Sequence, residues 1–212
     1  MIDKTTYYEA LSTGKINEVK EMIEKALAAG EKPEDIIKKG LIPAMDQIGV
    51  LFRSCEIYIP EVLVAAKAMH AGLNVLKPIL AKSTASTAIK VVLGTVKGDL
   101  HDIGKNMVGM MLEGGGFEIV DVGVDTPAEK FIQTAQQQGA KVIAMSSLLT
   151  TTMDQLKTVI ARAKEVGLDS GVKFIVGGAP VTEDFAKKIG ADGYAPDAAS
   201  AVILVRNLLG IA

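Results

Sequence analysis

Reactive side chains are scarce in this chain. Its 212 residues include no Trp, five Phe, four Tyr, one Cys and two His. So few aromatics argue against a surface that stacks bases or boxes a quaternary amine. Cys55 cannot form an internal disulfide, and it excludes a Cys-rich zinc or iron–sulfur site. His70 and His101 leave almost no room for a transition-metal cage built wholly from protein. Neither sign of charge dominates: 23 Lys and Arg stand against 25 Asp and Glu, for a net charge of −2. That balance argues against a dedicated nucleic-acid binder or a polybasic membrane surface. No apolar run reaches the roughly 18 residues of a membrane span, and residues 1–8 show no signal-peptide pattern. The expectation is a cytoplasmic protein with neither nucleic-acid nor membrane partners. Its chemistry must rest on very few side chains or on a borrowed cofactor.

What is present changes character at about residue 87. Up to there the hydrophobic period is helical. Segments are expected at Lys4 to Leu11, Lys15 to Ala28, a third from Pro33 through Leu51 that bends or restarts at Pro43, and a fourth from Pro60 to Leu80. The fourth is apolar on most sides and is expected to sit centrally in a four-helix bundle. Residues 82–87 are small and polar and read as a linker, giving a helical domain over 1–87 and a second domain over 88–212. In the second, short β-branched runs at 89–96, 117–121, 141–146, 174–176 and 193–194 alternate with helices at about 103–113, 127–138, 153–166, 181–189 and 197–209. Five β-α units predict a flavodoxin-like or Rossmann-like doubly wound parallel sheet of five strands. Ligands of such sheets bind beyond the carboxyl ends of the strands.

The loops expected at that edge hold the candidate site. After the first strand comes Gly98-Asp99-Leu100-His101-Asp102-Ile103-Gly104, with a histidine between two carboxylates. Asp99 is placed to accept a hydrogen bond from one imidazole nitrogen and leave the other for a metal. The plainer reading is a capping loop in which Asp99 or Asp102 satisfies helix N–H groups. A P-loop fails on glycine spacing, a receiver domain lacks an Asp after the third strand, and a serine hydrolase would lack the elbow around Ser146. The third loop, Ser146 to Thr152, is rich in hydroxyls. The fourth offers Gly177-Gly178, against which a ligand can lie on bare backbone, and the fifth offers Tyr194-Ala195. Met107, Met110 and Met111 read as core residues, and His70 as a surface or interhelical residue.

Asp99-x-His101-x-x-Gly104, then 41 residues to Ser146-x-Leu148, then 28 to Gly177-Gly178, resembles the signature of B12 proteins that bind cobalamin base-off and His-on. The segment Met45 to Met69 resembles the helical cap of cobalamin-dependent methionine synthase and of the corrinoid proteins of methyltransferase systems. The resemblance covers essentially the whole chain.

The resemblance implies a set of roles. His101 would be the lower cobalt ligand, held by Asp99, with Thr152 completing the relay where the synthase has a serine. Gly98, Leu100, Asp102, Ile103 and Gly104 would flank that ligand. Ser146, Leu148, Thr150, Gly177, Gly178, Tyr194 and Ala195 would line the slot for the displaced nucleotide tail, and Met45, Tyr58 and Ala65 would face the upper side. The implied cofactor is cobalamin, cycling between cob(I)alamin and methylcobalamin through its cobalt. The implied function is a methyl carrier within a multi-component methyltransferase. It would take a methyl group from a donor on a substrate-specific methyltransferase and pass it to tetrahydrofolate, or to a thiol such as coenzyme M, on an acceptor methyltransferase. A reductive activase would be a third partner. The alternatives are the B12-binding subunit of a carbon-skeleton mutase and a B12-dependent regulatory or sensor module.

Overall fold

The computed structural model describes residues 4–80 and 89–211. The linker expected at 82–87, and with it the boundary at 87/88, lies outside the described residues. The described residues group into two compact units: residues up to 80 together with Glu113–Gly116, and the remainder from Ile89 onward.

The first unit is helical throughout. It contains α1 (Lys4–Ser12), α2 (Ile16–Ala28), α3 (Pro33–Asp35), a π-helix (Ile36–Leu41), α4 (Ile42–Arg53) and α5 (Ile59–Leu80). In α2 the buried Val19, Met22, Ile23 and Ala26 form one stripe at helical spacing, as the period predicts. α5 packs against α1, α2 and α4, which makes it the central helix of this unit. Its buried face is mostly small, with Ala65, Ala66, Ala68 and Gly72 beside Val62, Met69 and Leu76. Of the bend or restart expected at Pro43, the chain makes the restart. Proline lacks an N–H and its ring crowds the carbonyl one turn back, so the chain widens into the π-helix just before it. The Ile42 N–H donates to Ile37, five residues back, and Pro43 then falls in the first turn of a new helix.

The second unit is a five-stranded, wholly parallel sheet in the order β2-β1-β3-β4-β5. The strands are β1 (Lys90–Val96), β2 (Glu118–Thr126), β3 (Val142–Ser146), β4 (Lys173–Gly177) and β5 (Gly193–Tyr194). Between and after them run α6 (Ile103–Gly114), α7 (Ala128–Gln138), α8 (Met153–Glu165), α9 (Glu183–Ile189) and α10 (Ala198–Leu209). The doubly wound parallel sheet is the one expected from the β-α alternation, and its strand order is the flavodoxin-like one of the two kinds left open by the sequence. β2 runs five residues past its expected end at Asp121. Its pairing with β1 slips on either side of Gly94, and the slip carries the strand on to Asp125 and Thr126 beside the first loop. A 3-10 turn at Leu168–Ser170 has no counterpart in the sequence reading.

Strand pleating sorts the core into two faces. The register aligns Val92, Ile143 and Phe174 in one row and Leu93, Ala144 and Ile175 in the next. The first row belongs to a buried cluster with Phe131 and Ile132 of α7 and Leu156, Val159 and Ile160 of α8. The second row faces the opposite side, toward α6 and α10, and there the packing leaves a cavity.

Candidate functional site

The site is built on the turn that ends β1. Asp99 is wholly buried, with 0% of its surface exposed, and its carboxylate collects five hydrogen bonds. Oδ1 accepts from the His101 backbone N–H at 3.1 Å and lies 2.7 Å from His101 Nδ1. Oδ2 accepts from the backbone N–H groups of Leu148 at 2.7 Å and Leu149 at 3.2 Å, and from the Thr152 hydroxyl at 3.0 Å. Asp99 therefore ties the first loop to the third rather than capping α6. Asp102 does not cap it either: its carboxylate accepts from the Asn106 side-chain amide at 3.2 Å.

Burial alone would raise the Asp99 carboxyl. Hydrogen bonds from the His101 ring, the Leu148 and His101 amides and the Thr152 hydroxyl outweigh it and bring the group down to about 2. At neutral pH the carboxylate has no proton to give, so the hydrogen between it and the imidazole sits on Nδ1. Nε2 then points away from Asp99 and has no hydrogen-bond partner among the described residues. The His101 side chain is 50% exposed. Its carbonyl accepts from the buried Thr95 hydroxyl at 2.8 Å, which holds the backbone of the loop as well.

His101 lines a cavity of about 570 Å³ at the carboxyl edge of the sheet. Leu100, Asp102, Ile103 and Gly104 join it from the first loop, Ser146 and Leu148 from the third, Gly177 and Gly178 from the fourth, and Tyr194 and Ala195 from the fifth. Asp99 and Thr152 stand behind His101, and Gly98 forms the turn. Thr150 is exposed and does not line the cavity. Met45, Tyr58 and Ala65 lie in the helical unit, where Met45 and Ala65 are buried and Tyr58 is exposed.

Several contributors have no distinguishing mark in the sequence. The row Leu93, Ala144 and Ile175 supplies an apolar wall, with Ala201 of α10 beside it. Met107 faces the cavity instead of the core, while Met111 is buried as expected. Lys105 is almost fully buried at the cavity and pairs with Asp121 of β2. Ser147 is wholly buried, and its hydroxyl lies 2.8 Å from that of Thr152. The chain Ser147, Thr152, Asp99, His101 is thus a continuous buried run of hydrogen-bonding groups ending at the exposed imidazole.

Both parts of the chain are similar to known proteins. Profiles described as B12 binding domains match residues 89–203 and residues 4–77. The chain is 44% identical over 202 residues to dimethylamine corrinoid protein 1 of Methanosarcina acetivorans, covering 94% of each chain. A solved cobalamin-binding protein from Desulfitobacterium hafniense has a TM-score of 0.81 at 31% identity, covering 98% of both chains. The methanol:cobalamin methyltransferase complex of Methanosarcina barkeri has a TM-score of 0.84 at 31% identity, over 96% of this chain and 78% of that one. Through both of its halves, the chain belongs to the B12-binding family of corrinoid proteins.

Proposed function

We propose that this chain is a corrinoid methyl carrier that binds cobalamin base-off, with His101 Nε2 as the protein ligand of cobalt. The observation that carries the reading is the Asp99–His101 pair: one ring nitrogen is fixed at 2.7 Å and the other is unengaged at the wall of a cavity. The residues fit the cofactor. Among the described residues no group of three or more His, Cys, Asp or Glu could hold a metal ion, so a metal at His101 must bring its other ligands with it. A corrin ring would supply those other ligands, with His101 as the one ligand from this chain. The apolar wall of Leu93, Ala144 and Ile175, with the bare backbone of Gly177 and Gly178, suits a displaced nucleotide tail.

Bound cobalamin would supply a cobalt centre able to accept and release a methyl group. This chain's own residues do the rest. Asp99 holds the Nδ1 proton in place, which fixes the tautomer and keeps Nε2 a donor. Thr152 and Ser147 orient the carboxylate from behind. Ser146, Leu148, Tyr194 and Ala195 would contact the tail. By likeness to the family, Met45, Tyr58 and Ala65 are assigned to the upper side.

A relative named for dimethylamine and a structural neighbour that is a methanol:cobalamin methyltransferase complex support a methyltransferase partner here too. The carrier reading adds an acceptor methyltransferase, using tetrahydrofolate or a thiol such as coenzyme M, and a reductive activase. No helix among the described residues is long and apolar enough to cross a membrane. The test is titration of the purified chain with hydroxocobalamin, followed by visible spectroscopy. His101→Ala is expected to weaken binding at least about tenfold and to shift the bound spectrum from imidazole-coordinated to base-off. Equal affinity and an unchanged spectrum would refute the ligand assignment.

A further inference from the structure

The turn that delivers Asp99 and His101 is held from outside by a residue that touches neither the cavity nor the imidazole. Val96 to Asp99 form a four-residue turn closed by the Asp99 N–H donating to the Val96 carbonyl at 3.1 Å, with Gly98 at φ +83. A positive φ at the third position marks a type II turn, in which the central peptide is flipped relative to type I. That flip frees the Gly98 N–H from the turn, and it donates to Asp125 Oδ1 at 2.6 Å. In return the Asp125 N–H donates to the Asp99 carbonyl at 2.9 Å.

Asp125 adopts an unusual conformation to make both bonds. Its φ is +48, and among the described residues the only other non-glycine with a positive φ is Cys55. Asp tolerates this region better than most residues but still adopts it at a cost, and such outliers persist where surrounding contacts require them. The side chain is exposed, so it does not serve core packing. The slip in pairing around Gly94 is what carries the end of β2 to this position.

We infer that Asp125 is a positioning residue for the axial-ligand loop: it selects the flipped Lys97–Gly98 peptide and anchors the Asp99 carbonyl, and so sets where Asp99 holds His101. This inference rests on the cobalamin reading above. Two variants separate side chain from backbone. Asp125→Gly keeps the left-handed backbone and the N–H but removes the acceptor, whereas Asp125→Asn keeps an acceptor oxygen and a residue type at ease with positive φ.

In the cofactor-free chain, Asp125→Gly is expected to exchange the Gly98 amide hydrogen faster than wild type while keeping the wild-type thermal midpoint or a higher one. Its dissociation constant for hydroxocobalamin is expected to rise about tenfold, with a smaller imidazole-coordinated fraction in the visible spectrum. Asp125→Asn is expected to restore the exchange rate, affinity and spectrum. Wild-type exchange, affinity and spectrum in Asp125→Gly would overturn the inference. So would a thermal midpoint well below wild type, or an Asn variant as impaired as the Gly variant. Failure of the wild-type chain to bind hydroxocobalamin at all is a different result: it overturns the cobalamin reading and, with it, the role given to Asp125.

Discussion

Asp99→Asn is expected to destabilise the cofactor-free chain by about 3 kcal/mol and to weaken hydroxocobalamin binding by about 10- to 100-fold. Five donors converge on the two carboxylate oxygens. An amide offers one oxygen and one NH2, so whichever way it turns, donors on one side meet a donor. The His101 ring loses its fixed acceptor, or the third loop loses the tie to Leu148, Leu149 and Thr152. Acid unfolding carries a second signature. The carboxyl sits at about 2 in the folded chain against an ordinary 3.8. Between those values the unfolded chain binds a proton that the folded chain does not, so stability rises with pH across that window. The gain is about 2 kcal/mol, fully present above it and lost as the pH falls through about 2. Urea unfolding of both proteins from acid to neutral pH checks this: the Asn variant should lack that step. Equal stability at neutral pH would contradict the buried, five-bonded carboxylate.

Gly178→Ala is expected to cost roughly 3 kcal/mol or more of stability and to deform the cavity edge. Gly178 has φ +126, and a Cβ there would lie 1.8 Å from the Ser147 carbonyl oxygen. Neither atom can yield cheaply, because both contacts are backbone and the Ser147 N–H is already bonded to the Gly177 carbonyl at 3.1 Å. The third and fourth loops therefore touch main chain to main chain, and any side chain separates them. Gly104→Ala is the matched control. A Cβ there meets nothing within 4 Å, and the position lies in the first turn of α6. Its stability is expected to stay level or rise by up to about 1 kcal/mol. Denaturant midpoints of the two variants against wild type decide the point, and a Gly178→Ala protein as stable as wild type contradicts the close approach.

Much of the architecture was legible because it rests on local signals. Runs such as Val91-Val92-Leu93 and Val142-Ile143 read as buried parallel strands, and the glycine and proline punctuation put the helices between them. The far end of β2 was not legible, since Gly123 and Asp125 interrupt the apolar pattern and only pairing with β1 keeps the strand going. The π-helix before Pro43 was missed because a helical period does not reveal which hydrogen bond widens to absorb a proline.

At the site, Asp99 and His101 stand out because one of only two histidines lies between two carboxylates in the loop after the first strand, where such sheets bind ligands. The cavity wall does not stand out. Strands buried on both faces show no alternation, so nothing in Leu93, Ala144 or Ile175 tells which face opens onto a ligand. The third loop offers Ser146, Ser147, Thr150, Thr151 and Thr152, all with hydroxyls. Packing alone selects Ser147 and Thr152 for the buried run behind Asp99, sends Ser146 to the cavity and leaves Thr150 in solvent.

The most direct test of an imidazole of this chain on cobalt uses isotopes. The chain is prepared with unlabelled histidine and with nitrogen-15 histidine, loaded with cobalamin, reduced to the cobalt(II) state and measured by electron paramagnetic resonance. If His101 is the axial ligand, the cobalt lines split into triplets in the unlabelled protein and into doublets in the labelled one, and His101→Ala loses the nitrogen splitting. Triplets in both preparations would place the cofactor's own base on the metal and contradict the assignment of His101.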